Sequence, residues 1–257
     1  MKPKALVLQA RGTNRDLDML EALELAGADP LGIPLNDLRS HKSAWHEFQI
    51  LVLAGGFSYA DALGAGKLLA LDLGSYFADE ITAFVESGKP VMGVCNGFQA
   101  LVKAGILPGI TSDVSQATLT FNEQGHFECR WVNLQPISQN CLWTSGLVEL
   151  IACPVAHGEG KFVAQASSLL NTLALNDQVA LTYVQPDGSP ANGFYPANPN
   201  GSALDIAGIC NPAGNVLGLM PHPENHIHPT QHPLWTRGVT AASGLPLFEN
   251  GVKYCQQ

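Results

Sequence analysis

A cysteine set between two glycines offers the clearest chemistry in this sequence of 257 residues. In Gly93-Val94-Cys95-Asn96-Gly97 the thiol follows an apolar run at 91–94 and precedes a helical pattern that begins at about Asn96. That is the pattern of a nucleophile elbow, a sharp strand-to-helix turn in which small residues leave room where chain segments cross. The free N–H groups and positive dipole end of the following helix favour negative charge on the sulfur or on an oxyanion beside it. The same residues also suit a buried structural cysteine in an ordinary β-α connection. His222-Pro223-Glu224 is the second chemical feature. Pro223 disfavours helix for His222, and in extended chain the side chains at i and i+2 point to the same side. A thiol nucleophile needs a base, and the base works best when a carboxylate fixes its tautomer. By itself the triplet also describes a surface turn.

These residues need a frame that brings position 95 to position 222. Strand patterns at 5–8, 31–35, 49–53 and 91–94 alternate with helical ones, which predicts a parallel sheet covered on both faces, with sites at the carboxyl ends of its strands. Gly55-Gly56 and Cys95 both fall at such ends. Thr13-Asn14-Arg15-Asp16 reads as a capping box, with Leu17, Leu20 and Leu25 as the apolar face of the first helix and Gly27 as its stop. The second half is richer in strands, at 130–134, 149–155, 179–184, 205–210 and 216–220. The last two form a hairpin across Asn211-Pro212-Ala213-Gly214 that delivers the chain into His222. The loop at 187–201 reads as an insertion, and residues 1–257 as one domain.

Composition narrows the setting. A chain of this length with 46% hydrophobic residues can bury roughly three quarters of its unfolded surface in one core. The net charge of −9 and the absence of a basic run argue against a nucleic-acid or anionic-membrane surface. Six cysteines without C-x-x-C spacing, and a start without the pattern of a secretion signal, lead us to expect reduced thiols in a cytoplasmic protein. No apolar run approaches the roughly 20 residues of a membrane span.

Six blocks, in order, carry a likeness to a known family: Arg11-Gly12-Thr13-Asn14, Gly55-Gly56-Phe57-Ser58-Tyr59, Gly93 to Gln99, Cys129-Arg130-Trp131-Val132, Ala156-His157-Gly158-Glu159-Gly160 and Pro221-His222-Pro223-Glu224. In these the chain resembles the class I glutamine amidotransferases, and within them the glutaminase subunits of phosphoribosylformylglycinamidine synthases. The resemblance implies a flavodoxin-like α/β fold and a Cys95-His222-Glu224 triad that hydrolyses L-glutamine. It also implies ammonia transfer to a separate ATP-dependent synthetase subunit, with a small accessory subunit as a further partner, and no cofactor or metal. Cys95 would attack the side-chain amide, His222 would shuttle the proton, and Glu224 would orient His222. The N–H groups of Gly56 and Asn96 would form the oxyanion hole, Gly55 would serve the turn at the substrate site, and Gln99 would face the substrate. Ala60 and Asn225 depart from the usual family pattern, in which glycine is usual at the first position and arginine common at the second.

Chemistry without the resemblance leaves open a stand-alone cysteine hydrolase on the same scaffold or an idle binding module. The remaining candidates read as structural. His157 belongs to a close-packed or partner-facing loop, and the His226, His228 and His232 cluster fits no standard zinc spacing. Lys67 and Lys103 lie on solvated helix faces, and Trp131, Trp143 and Trp235 pack in the core or at a subunit surface.

Overall fold

The computed structural model describes residues 1–109, 116–239 and 243–257. The elements in chain order are β1 (Lys4–Gln9), α1 (Asp16–Leu25), β2 (Asp29–Pro34), α2 (Leu35–Ser40), β3 (Ile50–Leu53), α3 (Lys67–Ser75), α4 (Ala78–Glu86), β4 (Val91–Val94) and α5 (Asn96–Lys103). They continue with β5 (Ala117–Thr120), β6 (Glu128–Pro136), β7 (Ile151–His157), β8 (Lys161–Ala164), α6 (Ser167–Leu175), β9 (Val179–Val184), β10 (Ile206–Cys210), β11 (Val216–Leu219) and α7 (Leu245–Tyr254). Among the described residues no helix is long and apolar enough to cross a membrane.

One nine-stranded sheet runs β2-β1-β3-β4-β11-β10-β9-β6-β7. Its first five strands are parallel neighbours, and from β11 onward the pairings are antiparallel. β3, β4, β10 and β11 are buried at every residue, which requires cover on both faces. One cover is α5 with α3; α5 packs on β3, β4 and β11, while α1 packs on β1, β2 and α7. β5 and β8 form a separate two-stranded sheet, which the sequence pattern does not announce.

Most strand positions match expectation, and the hairpin of β10 and β11 forms with Gly208 opposite Leu219. The first helix differs. No side-chain cap forms at its start, because Thr13 instead pairs with Gly56 in an isolated bridge. Its buried face is Met19, Ala22 and Leu23, while Leu17 is 73% exposed and Leu25 46%. The i, i+3, i+4 spacing of the buried three matches one helical stripe, and leucine identity alone misleads. Gly27 does stop this helix, at φ +98° with its N–H on the Glu24 carbonyl. The second strand ends at Pro34, and Leu35 already opens α2.

Candidate active site

Cys95 lies between β4 and α5 with φ +50° and ψ −104°, a conformation that non-glycine residues rarely adopt. Surrounding contacts impose it. The Cys95 N–H donates to the Leu219 carbonyl (2.8 Å) and its carbonyl accepts from Gln99 (3.0 Å). A Cβ on Gly97 would overlap the Leu53 carbonyl oxygen, and one on Gly93 would come 2.5 Å from Leu101 Cδ1 and 2.8 Å from the Gly97 carbonyl carbon. Both glycines are therefore demanded by the close seat of α5 on the sheet. The sulfur lies 3.7 Å from the Ala156 carbonyl oxygen, and Cys95 is 5% exposed.

His222 follows β11 and is pinned to β7 by its N–H on the Pro154 carbonyl (2.8 Å). Its Nδ1 lies 2.6 Å from Glu224 Oε1, so the expected pairing of i and i+2 forms, and both residues are buried. The other carboxylate oxygen, Oε2, has no hydrogen-bond partner among the described residues. Burial by itself lowers the pKa of His222. The charge of Glu224 and the neighbouring sulfur of Cys95 outweigh it and raise that pKa to about 10. Gly55 explains how thiol and imidazole share one place: a Cβ there would lie 2.6 Å from His222 Cε1 and 3.4 Å from Cys95 Cβ. Gly55 is not among the residues at positive φ. Its need for glycine comes from space for the imidazole, not from a turn.

Gly56, at φ +138°, lines the cavity over Cys95. The Arg11–Asn14 block holds it there. Phe57 donates to the Gly12 carbonyl (3.1 Å), Tyr59 to that of Arg11 (2.5 Å) and Arg15 to that of Gly55 (3.3 Å), while a Cβ on Gly56 would strike Asn14 N at 2.6 Å. The Asn96 N–H opens α5 and so has no acceptor one turn back. The Asn96 side chain is spent on structure: Oδ1 accepts from Ser58 N and Oγ, and Nδ2 donates to Asp61 Oδ1 (2.8 Å) and Gln99 Oε1 (3.1 Å). Gln99 lines the same cavity, with its Nε2 on the Glu159 carbonyl (2.7 Å).

The cavity measures about 140 Å³ and is lined by Gly56, Asp61, Cys95, Gln99, His157 and Glu159 among others. Burial raises the pKa of Asp61 and lowers that of Lys103. Lys103 is not on a solvated face as the sequence suggests, for its Nζ reaches the Ala65 carbonyl and lies 3.9 Å from Glu159 Oε2. Lys67 is exposed as expected. A larger cavity of about 530 Å³ opens between Arg11, Arg39, Tyr59 and Asp72, away from Cys95.

His157 ends β7 and is 3% exposed. Asn122 holds it. The Asn122 Nδ2 donates to the carbonyls of His126 (3.0 Å) and His157 (2.8 Å), and its Oδ1 faces Gly160 N (2.9 Å) and His157 Nδ1 (3.2 Å). Asn200, fully buried, adds a bond from Nδ2 to the Gly160 carbonyl (2.9 Å), so the 187–201 loop buttresses this wall. Sequence reading missed Asn122 and Asn200. An isolated asparagine carries no periodicity, and the contacts that give these two a role span 35 to 40 positions.

The other singled-out residues stay outside the cavity. Asn225 Nδ2 donates to Asp18 Oδ2 (2.9 Å), tying the His222–Glu224 turn to α1. His226 Nδ1 lies 2.5 Å from the Ala152 carbonyl oxygen, His228 Nε2 lies 3.0 Å from Glu21 Oε1, and Trp131 stacks edgewise on His226 and His232. Trp143 is fully buried and Trp235 half-exposed.

A model of the CobB/CobQ-like glutamine amidotransferase domain matches residues 2–255. The chain is 56% identical over 241 residues to the phosphoribosylformylglycinamidine synthase subunit PurQ of Treponema denticola, covering 88% of this chain and 89% of that one. It is 43% identical over 260 residues to the subunit of the same name from Dehalococcoides mccartyi, covering 100% and 99%. Among solved structures it is similar to a chain of PurLQS from Thermotoga maritima, with TM-score 0.75, 32% identity and 99% of each chain covered.

Proposed function

This chain belongs to the CobB/CobQ-like glutamine amidotransferase family, and on that premise we propose that it is the glutaminase subunit of a phosphoribosylformylglycinamidine synthase. It hydrolyses L-glutamine to glutamate and ammonia and passes the ammonia to an ATP-dependent synthetase subunit for purine biosynthesis, with a small accessory subunit as a further partner. The observation that carries the reading is the meeting of Cys95, His222 and Glu224 around Gly55. Residues 1–257 act as one domain, a reading supported by a single sheet whose strands run from Lys4 to Leu219. A cytoplasmic location fits six cysteines that are all free.

In the reaction Cys95 Sγ, its proton already held by His222, whose raised pKa keeps the imidazole charged at neutral pH, bonds to the amide carbon of glutamine. The C–N bond breaks as His222 returns that proton to nitrogen, which leaves as ammonia, and a γ-glutamyl thioester remains on Cys95. Water, losing its proton to His222, opens the thioester to glutamate and the free thiol. Glu224 holds the imidazole tautomer and offsets its positive charge. The N–H groups of Gly56 and Asn96 receive the oxyanion, each worth on the order of 3 kcal/mol of transition-state stabilisation.

The test is ammonia release from glutamine with and without the synthetase. Slow hydrolysis by the chain alone should rise when the synthetase and its substrates are added, and Cys95→Ala should lower turnover roughly 10⁴-fold or more with the fold intact. Full turnover in the Cys95→Ala variant would defeat the reading. Equal turnover with and without a bound synthetase would point to a stand-alone hydrolase.

A further inference from the structure

Of the side chains lining the cavity over Cys95, His157 carries a buried polar atom, Nε2, that has no partner among the described residues. Its chemical character is fixed by its neighbours. Asn122 spends both Nδ2 hydrogens on carbonyl oxygens, so its other atom must be the oxygen, and that oxygen also accepts from Gly160 N. An oxygen facing His157 Nδ1 requires a proton on Nδ1. In the neutral ring the second nitrogen is then a bare lone pair, an acceptor that cannot donate. Burial, reinforced by repulsion from His222, pushes the His157 pKa down to about 3, so the ring stays neutral at any working pH.

A buried bare acceptor on the cavity wall calls for a donor from the ligand, since a buried polar group left unpaired costs about 1–3 kcal/mol. Glutamine brings two donors to the reacting end of its side chain, the hydrogens of the carboxamide nitrogen. Glutamate brings none, only oxygen lone pairs that Nε2 repels. The ammonium at the other end of the substrate has stronger partners in the carboxylates of Asp61 and Glu159, which line the same cavity. We propose that His157 is a specificity-determining residue whose Nε2 accepts a hydrogen bond from the carboxamide nitrogen of glutamine, admitting the amide and disfavouring the acid. Product release follows from the same contact, because the matched donor departs as ammonia when the thioester forms and the oxygen that water adds in hydrolysing the thioester is repelled by the same lone pair. The proposal rests on the glutaminase reading.

The experiment compares L-glutamine with L-glutamic acid γ-methyl ester, which keeps the ammonium, the carboxylate and the reacting carbonyl but has no donor on its leaving group. Both are assayed with the synthetase bound. His157→Leu should lower kcat/KM for glutamine on the order of 10-fold or more, leave the ester unchanged or improved, and tighten inhibition by glutamate. Equal losses on both substrates would assign His157 to the fold or to the ammonium, and no loss on either would leave it without a role; each overturns the proposal. Should His157→Leu fail to fold, nitrogen resonances of His157 in the Cys95→Ala protein decide: glutamine should shift the Nε2 signal and glutamate should not, and a signal indifferent to glutamine overturns the proposal. Wild-type turnover is the control, for its absence would remove the glutaminase reading before any statement about His157.

Discussion

Residues 55–63 and residues 156–160 line the same cavity, but they are held by different means. In the first segment Tyr59, Ala60, Asp61 and Leu63 take φ between +51° and +65°, where a non-glycine residue stores about 1–3 kcal/mol. The segment persists because its surroundings over-determine it. Tyr59 hydrogen-bonds Asp72 through its hydroxyl (2.5 Å), and Asp61 Oδ1 accepts from Asn96 Nδ2 and Gly66 N. Burial and the contact with Asp72 raise the Tyr59 pKa to about 12, so this bond keeps its proton. The second segment continues β7 in relaxed backbone and is stapled from behind by Asn122 and Asn200. The pair teaches a division of labour. On the function proposed above, the relaxed wall would fix what the substrate must be, and the strained wall, which carries Gly56, would answer to whatever docks around it.

The contrast breaks most severely at Gly55, the point where the strained segment meets Cys95 and His222. Gly55→Ala should displace the imidazole of His222 and lower glutamine turnover on the order of 10²-fold or more with little change in melting temperature, since a misplaced base costs rate long before it costs fold. Steady-state assays beside thermal melts check this; turnover within a factor of two of wild type would mean the imidazole is not confined there.

A subtler version sets His222 against His157. The folded pKa of His222, about 10, lies above its ordinary 6.5, so the stability it contributes is full below pH 6.5 and is lost as pH climbs toward 10. The folded pKa of His157, about 3, lies below 6.5, so its contribution is full above pH 6.5 and is lost as pH falls toward 3. Denaturant unfolding at a series of pH values should therefore give a maximum near neutrality. His222→Ala should flatten the alkaline limb and His157→Leu the acid limb; a variant that flattens the opposite limb would reverse the assignment.

The smallest effect is expected at Ala60. Glycine tolerates φ +56° without strain, so Ala60→Gly should stabilise the fold by up to about 1 kcal/mol, visible as a shifted denaturation midpoint. Destabilisation would mean that the alanine methyl packs more than its backbone strains.

How far the sequence speaks follows the same contrast. Residues 91–94, the elbow and the hairpin were legible because their signals are local: a fully apolar strand, a glycine pair two positions from a thiol, turn residues between strands. Gly93 and Gly97 prove to be excluded-volume requirements, as the elbow pattern demands. The face of α1 was misread because the choice among Leu17, Met19, Ala22 and Leu23 is made by β1, β2 and α7, which lie elsewhere in the chain. His157 was read as structural for a related reason. Its tautomer depends on Asn122, 35 positions away, and nothing in the Ala-His-Gly-Glu-Gly block records that partner.

The place of β11 has a consequence for how the molecule is made. It inserts between β4 and β10, pairing Val216 with Val91, and supplies the carbonyl that fixes Cys95 and the chain that carries His222. Until residue 219 has emerged during synthesis, β4 is an apolar strand with an open edge, the kind of edge on which unfinished chains aggregate. Closing that gap by long-range parallel pairing is a slow event in folding. The strand that seals the edge also carries His222 into place beside Cys95, so on the proposed function the site is assembled only when the sheet is complete.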